Sequence, residues 1–310
     1  MNHLIKEIAI EPDVMAEWRW FREINREVGF ENGRLIAQFP KSWKKAVIKK
    51  AWDLVQSGVN KDIKVASLVE RMRSPDFDAK LLLSSRNYDS SEGTWLDRAL
   101  AQKEPFDAIL ANESHPSTDY IRIGEDYFED ERYSSITQGR FPRTTTGLLG
   151  PCLRILSNAT EVKVIDPYFR PDDPRKMRPL LGLLAMIAES DSGIKQVELH
   201  TARSDNFSQS TVNNWRRELL GAIPYDLRVK IHFWAARPGG ENLHPRFVLT
   251  DKAGLKFDYG FDEGDSSGES TIVDVLIDSL RRQIWGEYCL ESGTFAINQN
   301  DHVIDVVRSS

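Results

Sequence analysis

Three short apolar segments in the second half of the chain, 161–166, 196–201 and 228–235, are separated by stretches of helical pattern. Nothing else in the sequence restricts the fold as much. A strand–helix–strand–helix–strand order favours parallel strands, because each helix carries the chain back across the sheet before the next strand begins. The intervening helices are read at 179–189, which is strongly apolar, and at 208–221, which carries Trp215 and Leu219. Strands buried between helices make an α/β fold, and such sheets bind ligands at the carboxyl ends of their strands. Asp166 stands at one such end, before Pro167 and Tyr168. His200 and Arg203 stand at another, before Ser204 and Asp205.

The run Leu243-His244-Pro245-Arg246-Phe247-Val248-Leu249-Thr250-Asp251 follows the turn Pro238-Gly239-Gly240 and reads as a fourth strand. Alternate side chains of a strand share a face. His244 and Arg246 therefore point one way, Phe247 and Leu249 the other. An imidazole beside a fixed cation suits a phosphodiester. The ring can attack phosphorus or carry a proton, and the guanidinium can hold two phosphate oxygens in its fork. The plainer alternative is an edge strand with a partly exposed His and a surface Arg. Residues 252–254 turn into a return strand, 255–260, with Asp262 just after it. A last helix is expected at 271–285 on Ile272, Val275, Leu276 and Leu280.

The first half repeats the alternation less regularly. Strands are expected at 3–10, 34–39, 79–84 and 106–111, and helices at 13–29, 43–56, 61–73 and 95–102. This is an α/β or α+β unit, with a domain boundary at about residue 140 and domains of 1–140 and 141–310. A helix at 144–158 opens the second. The helix 43–56 carries Trp43, Ala46, Val47, Ala51, Leu54 and Val55 on one stripe and its lysines mostly elsewhere, the pattern of a solvated amphipathic helix. Trp18, Trp20, Trp43 and Trp52 are expected in the N-terminal core. The acidic passage 112–132 lacks the spacing of a calcium loop and reads as a solvated connection. Gly264-Asp265-Ser266-Ser267-Gly268 matches a nucleophile elbow in letters only, since acidic residues rather than an apolar strand precede it.

Composition bounds the function. The chain is 40% apolar and 28% charged, enough for a sizeable core, and its net charge of −6 argues against general coating of nucleic acid while allowing a local basic groove. The two cysteines, Cys152 and Cys289, form no CxxC or Cys/His cluster, so no disulfide framework and no metal site is expected. No nucleotide-binding loop or HExxH occurs, and no cofactor is expected. The longest apolar run, 180–188, is too short to span a bilayer. A cytoplasmic protein is expected.

The order Asp166-Pro167-Tyr168, a helix, a strand ending in Thr201, then His244-Pro245-Arg246, Thr250-Asp251, Gly254 and Gly260-Phe261-Asp262 resembles the phospholipase D-like domain found at the C-terminus of MIT-domain proteins. The resemblance covers roughly residues 145–290. It implies a mixed sheet between helices. It also implies a site in which His244 is nucleophile or proton shuttle, Arg246 the phosphate clamp and Asp251 the orienting acid, with Asp166, His200, Arg203 and Asp262 binding substrate. Catalytic members of the superfamily carry His-x-Lys-x4-Asp, usually twice. Here one motif is present, Arg246 stands where Lys is usual, and no Gly-Ser pair follows Asp251 at the usual distance. Two functions are therefore expected. One is a metal-independent phosphodiesterase, a nuclease-like effector or an accessory subunit of a bacterial defence system, with a homodimer bringing two copies of His244 together. The other is a non-catalytic module that grips a nucleic acid, a lipid head group or a partner protein in the same cleft. The N-terminal domain is expected to meet a partner protein.

Overall fold

The structure, a computed structural model, describes residues 4–87, 93–190, 193–203, 208–240, 243–296 and 303–307. The chain is α/β and divides into two compact units, 1–137 and 138–310.

The first unit is built on β1 (Lys6–Ile10), α1 (Pro12–Ala16), α2 (Trp18–Glu27), β2 (Arg34–Gln38), α3 (Trp43–Gln56), α4 (Asp62–Met72), α5 (Pro75–Asp78), β3 (Leu81–Ser85), α6 (Trp95–Leu100), β4 (Ala108–Ala111) and β5 (Ile121–Arg122). The strands run in the order β3-β2-β1-β4-β5, and every pairing is parallel. Both faces are covered, which is why β4 and the end of β1, Ile8 to Ile10, read as unbroken apolar runs. Ile8, Ile10 and Ile36 meet Phe21, Trp43, Val47 and Leu68 on one side. Ala9, Ala37 and Ile109 meet Leu96 and Ala99 on the other. Trp43 is fully buried and donates its indole N–H to the Ile10 carbonyl at 2.6 Å; replacing it by alanine would cost about 3–5 kcal/mol. Trp52 departs from expectation and is 44% exposed. It lies outside the stripe that Trp43, Val47 and Ala51 form.

The second unit comprises β6 (Gln138–Pro142), α7 (Thr145–Leu149), α8 (Leu153–Ser157), β7 (Val162–Ile165), α9 (Pro174–Glu189), β8 (Gln196–Ala202), α10 (Gln209–Ala222), β9 (Arg228–Trp234), β10 (Arg246–Thr250), β11 (Gly254–Phe257), β12 (Ser270–Val275), α11 (Asp278–Glu287) and β13 (Val303–Val307). The sheet order is β13-β9-β8-β7-β10-β11-β12-β6. β7, β8 and β9 are parallel to one another. β10 returns antiparallel on the other flank of β7, and the remaining pairings are antiparallel. The sheet is mixed.

The helix expected at 271–285 is two elements. Residues 270–275 are a strand paired with β11 and β6, and the helix begins only at Asp278. The β-branched run Thr271-Ile272-Val273 takes the extended conformation it favours. Ile272 and Val275 thus belong to a strand, while Leu280 and Ile284 belong to α11.

The two faces of the sheet carry different chemistry. Ile165, Trp234, Phe247 and Leu249 face α11 and pack with Leu276, Ile284, Tyr288 and Phe295. On the opposite face Phe233 meets Trp215 of α10, ring centroids 5.1 Å apart. Arg246 precedes Phe247 by one residue in β10, so it shares the α10 face.

Candidate functional site

The antiparallel entry of β10 positions the site. Phe247 pairs with Ile165 and Thr250 with Val162, so the start of β10 lies beside the end of β7. The chain leaves β7 toward β8 and β9 on one flank and comes back as β10 on the other. This is the switch point at which open α/β sheets form a crevice. His244, Arg246, Asp166 and Tyr168 converge there.

Tyr168 is the hub. Its hydroxyl lies 2.8 Å from His244 Nδ1. The Arg246 guanidinium carbon lies 4.7 Å from the centroid of its ring. Its backbone N–H donates to Asp166 Oδ1 at 2.9 Å, a turn that reverses the chain at the end of β7. Lys176, in the first turn of α9, donates to its carbonyl. The sequence showed Tyr168 in its motif but gave no reason to rank it above its neighbours.

Arg246 is only partly committed. Nη1 donates to the Asp258 carbonyl at 3.3 Å, and Nε is buried with no hydrogen-bond partner. Asp166 is 3% exposed. Burial raises its carboxyl above the ordinary aspartate range against the Tyr168 N–H; Lys176 and Arg246 pull the same way as that N–H, and Asp262 pulls against them. Beside this group Tyr168, Arg170, Lys176 and Thr211 help to line a cleft of about 110 Å³. Lys176 and Thr211 lie in the first turns of α9 and α10, whose N-termini favour an anion. Arg203 lies just past the carboxyl end of β8 and is exposed, its N–H donated to the Trp234 carbonyl at 2.7 Å. Ser204 and Asp205 lie outside the described residues.

Three expected site residues have other work. Asp251 sits at the far end of β10, so the orienting-acid role does not hold. The five residues of that strand place it roughly 16 Å or more from Arg246. It accepts the N–H groups of Thr160 (2.9 Å) and Glu161 (3.3 Å) and the Thr160 hydroxyl (3.1 Å). Burial opposes its ionisation, but those bonds win and hold its carboxyl below the usual range. Asp262 pairs with Arg143 at 2.9 Å, so its charge is already matched. Its Oδ1 also lies 2.6 Å from where a Cβ on Gly260 would stand, with Gly260 at φ +121°, which is why that position is glycine.

His200 is on the wrong face to join His244. It pairs in register with Ile165 and with His232, and both belong to the α11 side. There it stacks on His232 with ring centroids 4.8 Å apart and accepts the Trp234 indole N–H on Nδ1 at 3.0 Å. Burial pushes its pKa down to about 4. The sequence reading expected no metal ligands. Among the described residues, Glu198, His200 and His232 nonetheless form one grouping of metal-ligand type. No spacing rule finds it, because His232 arrives from the next strand by register. The carboxylates of 112–132 do not converge in this way: Asp130 pairs with Arg132 and Glu125 with Arg19.

Both cysteines are free thiols. The Ser266 hydroxyl donates to Glu269 in a loop, with no strand running into it. On the first unit, Lys44 pairs with Asp78 and Lys50 with Asp13, as suits a solvated helix face. No described helix is long and apolar enough to cross a membrane. Comparison with known protein families gives no match, and comparison with curated proteins gives none.

Proposed function

We propose that the crevice between the end of β7 and the start of β10 binds the phosphate of a phosphodiester, as expected of a phospholipase D-like domain. The observation that carries this is Arg246. A buried guanidinium N–H without an acceptor costs about 1–3 kcal/mol, and an incoming phosphate oxygen removes that cost. Lys176 and Arg170 line the neighbouring cleft that shares Tyr168 and add positive potential there. The test is titration of the full chain with inorganic phosphate and with a model diester at low and high salt. Wild type is expected to bind both. Arg246→Lys, which keeps the charge and loses the fork, is expected to weaken binding by about tenfold. Equal binding by that variant, or no binding by wild type, removes the proposal.

A catalytic form of the same reading rests on the Tyr168–His244 bond. With Nδ1 held by the tyrosine oxygen, the ring is oriented and Nε2 is the nitrogen left for attack or proton transfer. A homodimer would then supply the second His244 as the acid for the leaving oxygen. Hydrolysis of a diester in EDTA, lost in His244→Ala with binding retained, supports catalysis. Binding without turnover makes the crevice a recognition module.

A further inference from the structure

The grouping on the α11 face of the second unit has nothing to do with the phosphate crevice. Glu198 and His200 are two apart on β8 and so share a face, and His232 lies beside His200 in register on β9. One donor atom from each lies within 4.8 Å of the other two. His200 is 1% exposed and His232 6%. His200 Nε2 and both nitrogens of His232 are buried without a hydrogen-bond partner. Nε2 of His200 comes within 3.5 Å of Glu198 Oε2, close enough for attraction but not aligned as a hydrogen bond. Three unsatisfied ring nitrogens in one place are expensive for a neutral cluster. His232 and Glu198 also line a cavity of about 570 Å³, which gives an ion a way in.

We propose that Glu198, His200 and His232 form a binding site for a divalent transition-metal ion. Two imidazoles and one carboxylate suit borderline ions such as Zn²⁺, Co²⁺ or Fe²⁺ and suit Mg²⁺ and Ca²⁺ poorly. Three protein ligands leave a further coordination position.

Three local features oppose the ion. Trp234 donates to His200 Nδ1, which puts the ring proton on Nε2. Ligation through Nε2 moves that proton to Nδ1, so the bond is lost and the buried Trp234 N–H is left without its acceptor. The rings stack at 13°, and donors sharing a tetrahedral ion sit about 3.4 Å apart, so they must tilt and close by about 1 Å. Lys163 Nζ lies 3.8 Å from Glu198 Oε2. It is held by the Trp285 and Tyr288 carbonyls at 3.3 and 3.1 Å, so its charge is partly directed away from the cluster. Against these stands the ligation of ring nitrogens that have no hydrogen-bond partner in the cluster.

The test uses the full chain, stripped with a chelator and titrated with Co²⁺. It is read by visible d–d absorption and by displacement with Zn²⁺. One equivalent is expected to bind and to raise the melting temperature. Glu198→Gln, a half-exposed near-isostere, and His232→Phe, which keeps a ring in the stack, are each expected to lose affinity by at least about tenfold. His244→Ala is expected to bind as wild type does. If His232→Phe does not fold, Glu198→Gln decides alone. Absence of stoichiometric uptake at micromolar Co²⁺, or uptake unchanged in Glu198→Gln, overturns the proposal and leaves the phosphate crevice untouched.

Discussion

The Tyr168 hydroxyl and His244 Nδ1 lie 2.8 Å apart, a bond between residues 76 positions apart in the sequence. It joins the end of β7 to the approach to β10 and fixes which nitrogen of His244 is left over. Tyr168→Phe keeps the ring against Arg246 and loses only this bond. Phosphate affinity is expected to fall about two- to tenfold. Tyr168→Ala also removes the ring from under the guanidinium, an interaction worth roughly 0.5–2 kcal/mol, and is expected to bind more weakly still. Titration of both variants with inorganic phosphate checks this. Equal affinity in the two would mean that the ring face contributes nothing.

How much of this was legible in the sequence depends on whether the determinant is local. Alternation along 243–251 fixed Arg246 opposite Phe247 and Leu249, and the structure has Phe247 and Leu249 in the α11-facing core. Alternation also says that His200 and Glu198 share a face. It does not say which one, because that follows from the register with Ile165 and His232. Register comes from packing and is invisible in a single strand. The same lack hid the His200–His232 stack and the matching of Asp262 by Arg143, whose residues are 119 apart. The strand and helix merged at 271–285 were a failure of period. An apolar stripe counted at helical spacing ran across the junction at Leu276 and Ile277, where a strand hands over to a helix.

Asp251 gives the second prediction. It lies at the opposite end of β10 from Arg246 and serves three donors from Thr160 and Glu161, so its role is to close the loop before β7. Asp251→Ala leaves those groups without their acceptor. The expected result is a loss of about 1–3 kcal/mol, or a melting temperature lower by roughly 5 °C, with phosphate affinity unchanged. Calorimetry beside phosphate titration separates the two effects. A fall in affinity at constant stability would return Asp251 to the site.

Asp166 gives the third. Its carboxyl is buried and its ionisation is disfavoured in the folded state, although the Tyr168 N–H, Lys176 and Arg246 all oppose that tendency. A carboxyl whose native pKa is raised contributes its full stability below the unfolded value of about 3.9 and loses it as pH rises through the native value. At neutral pH the chain therefore holds a charge that folding would rather neutralise. Asp166→Asn keeps an acceptor for the Tyr168 N–H and removes the charge. The variant is expected to melt higher than wild type at about pH 7, with the difference shrinking toward pH 4. Removing an anion from beside Arg246 is expected also to tighten phosphate binding, since the guanidinium then answers only to the ligand. Melting curves across that pH range check the stability half, and phosphate titration the other. A variant less stable than wild type at neutral pH, or a difference that does not change with pH, would mean that Lys176 and Arg246 outweigh burial and that Asp166 is held ionised as a working part of the crevice.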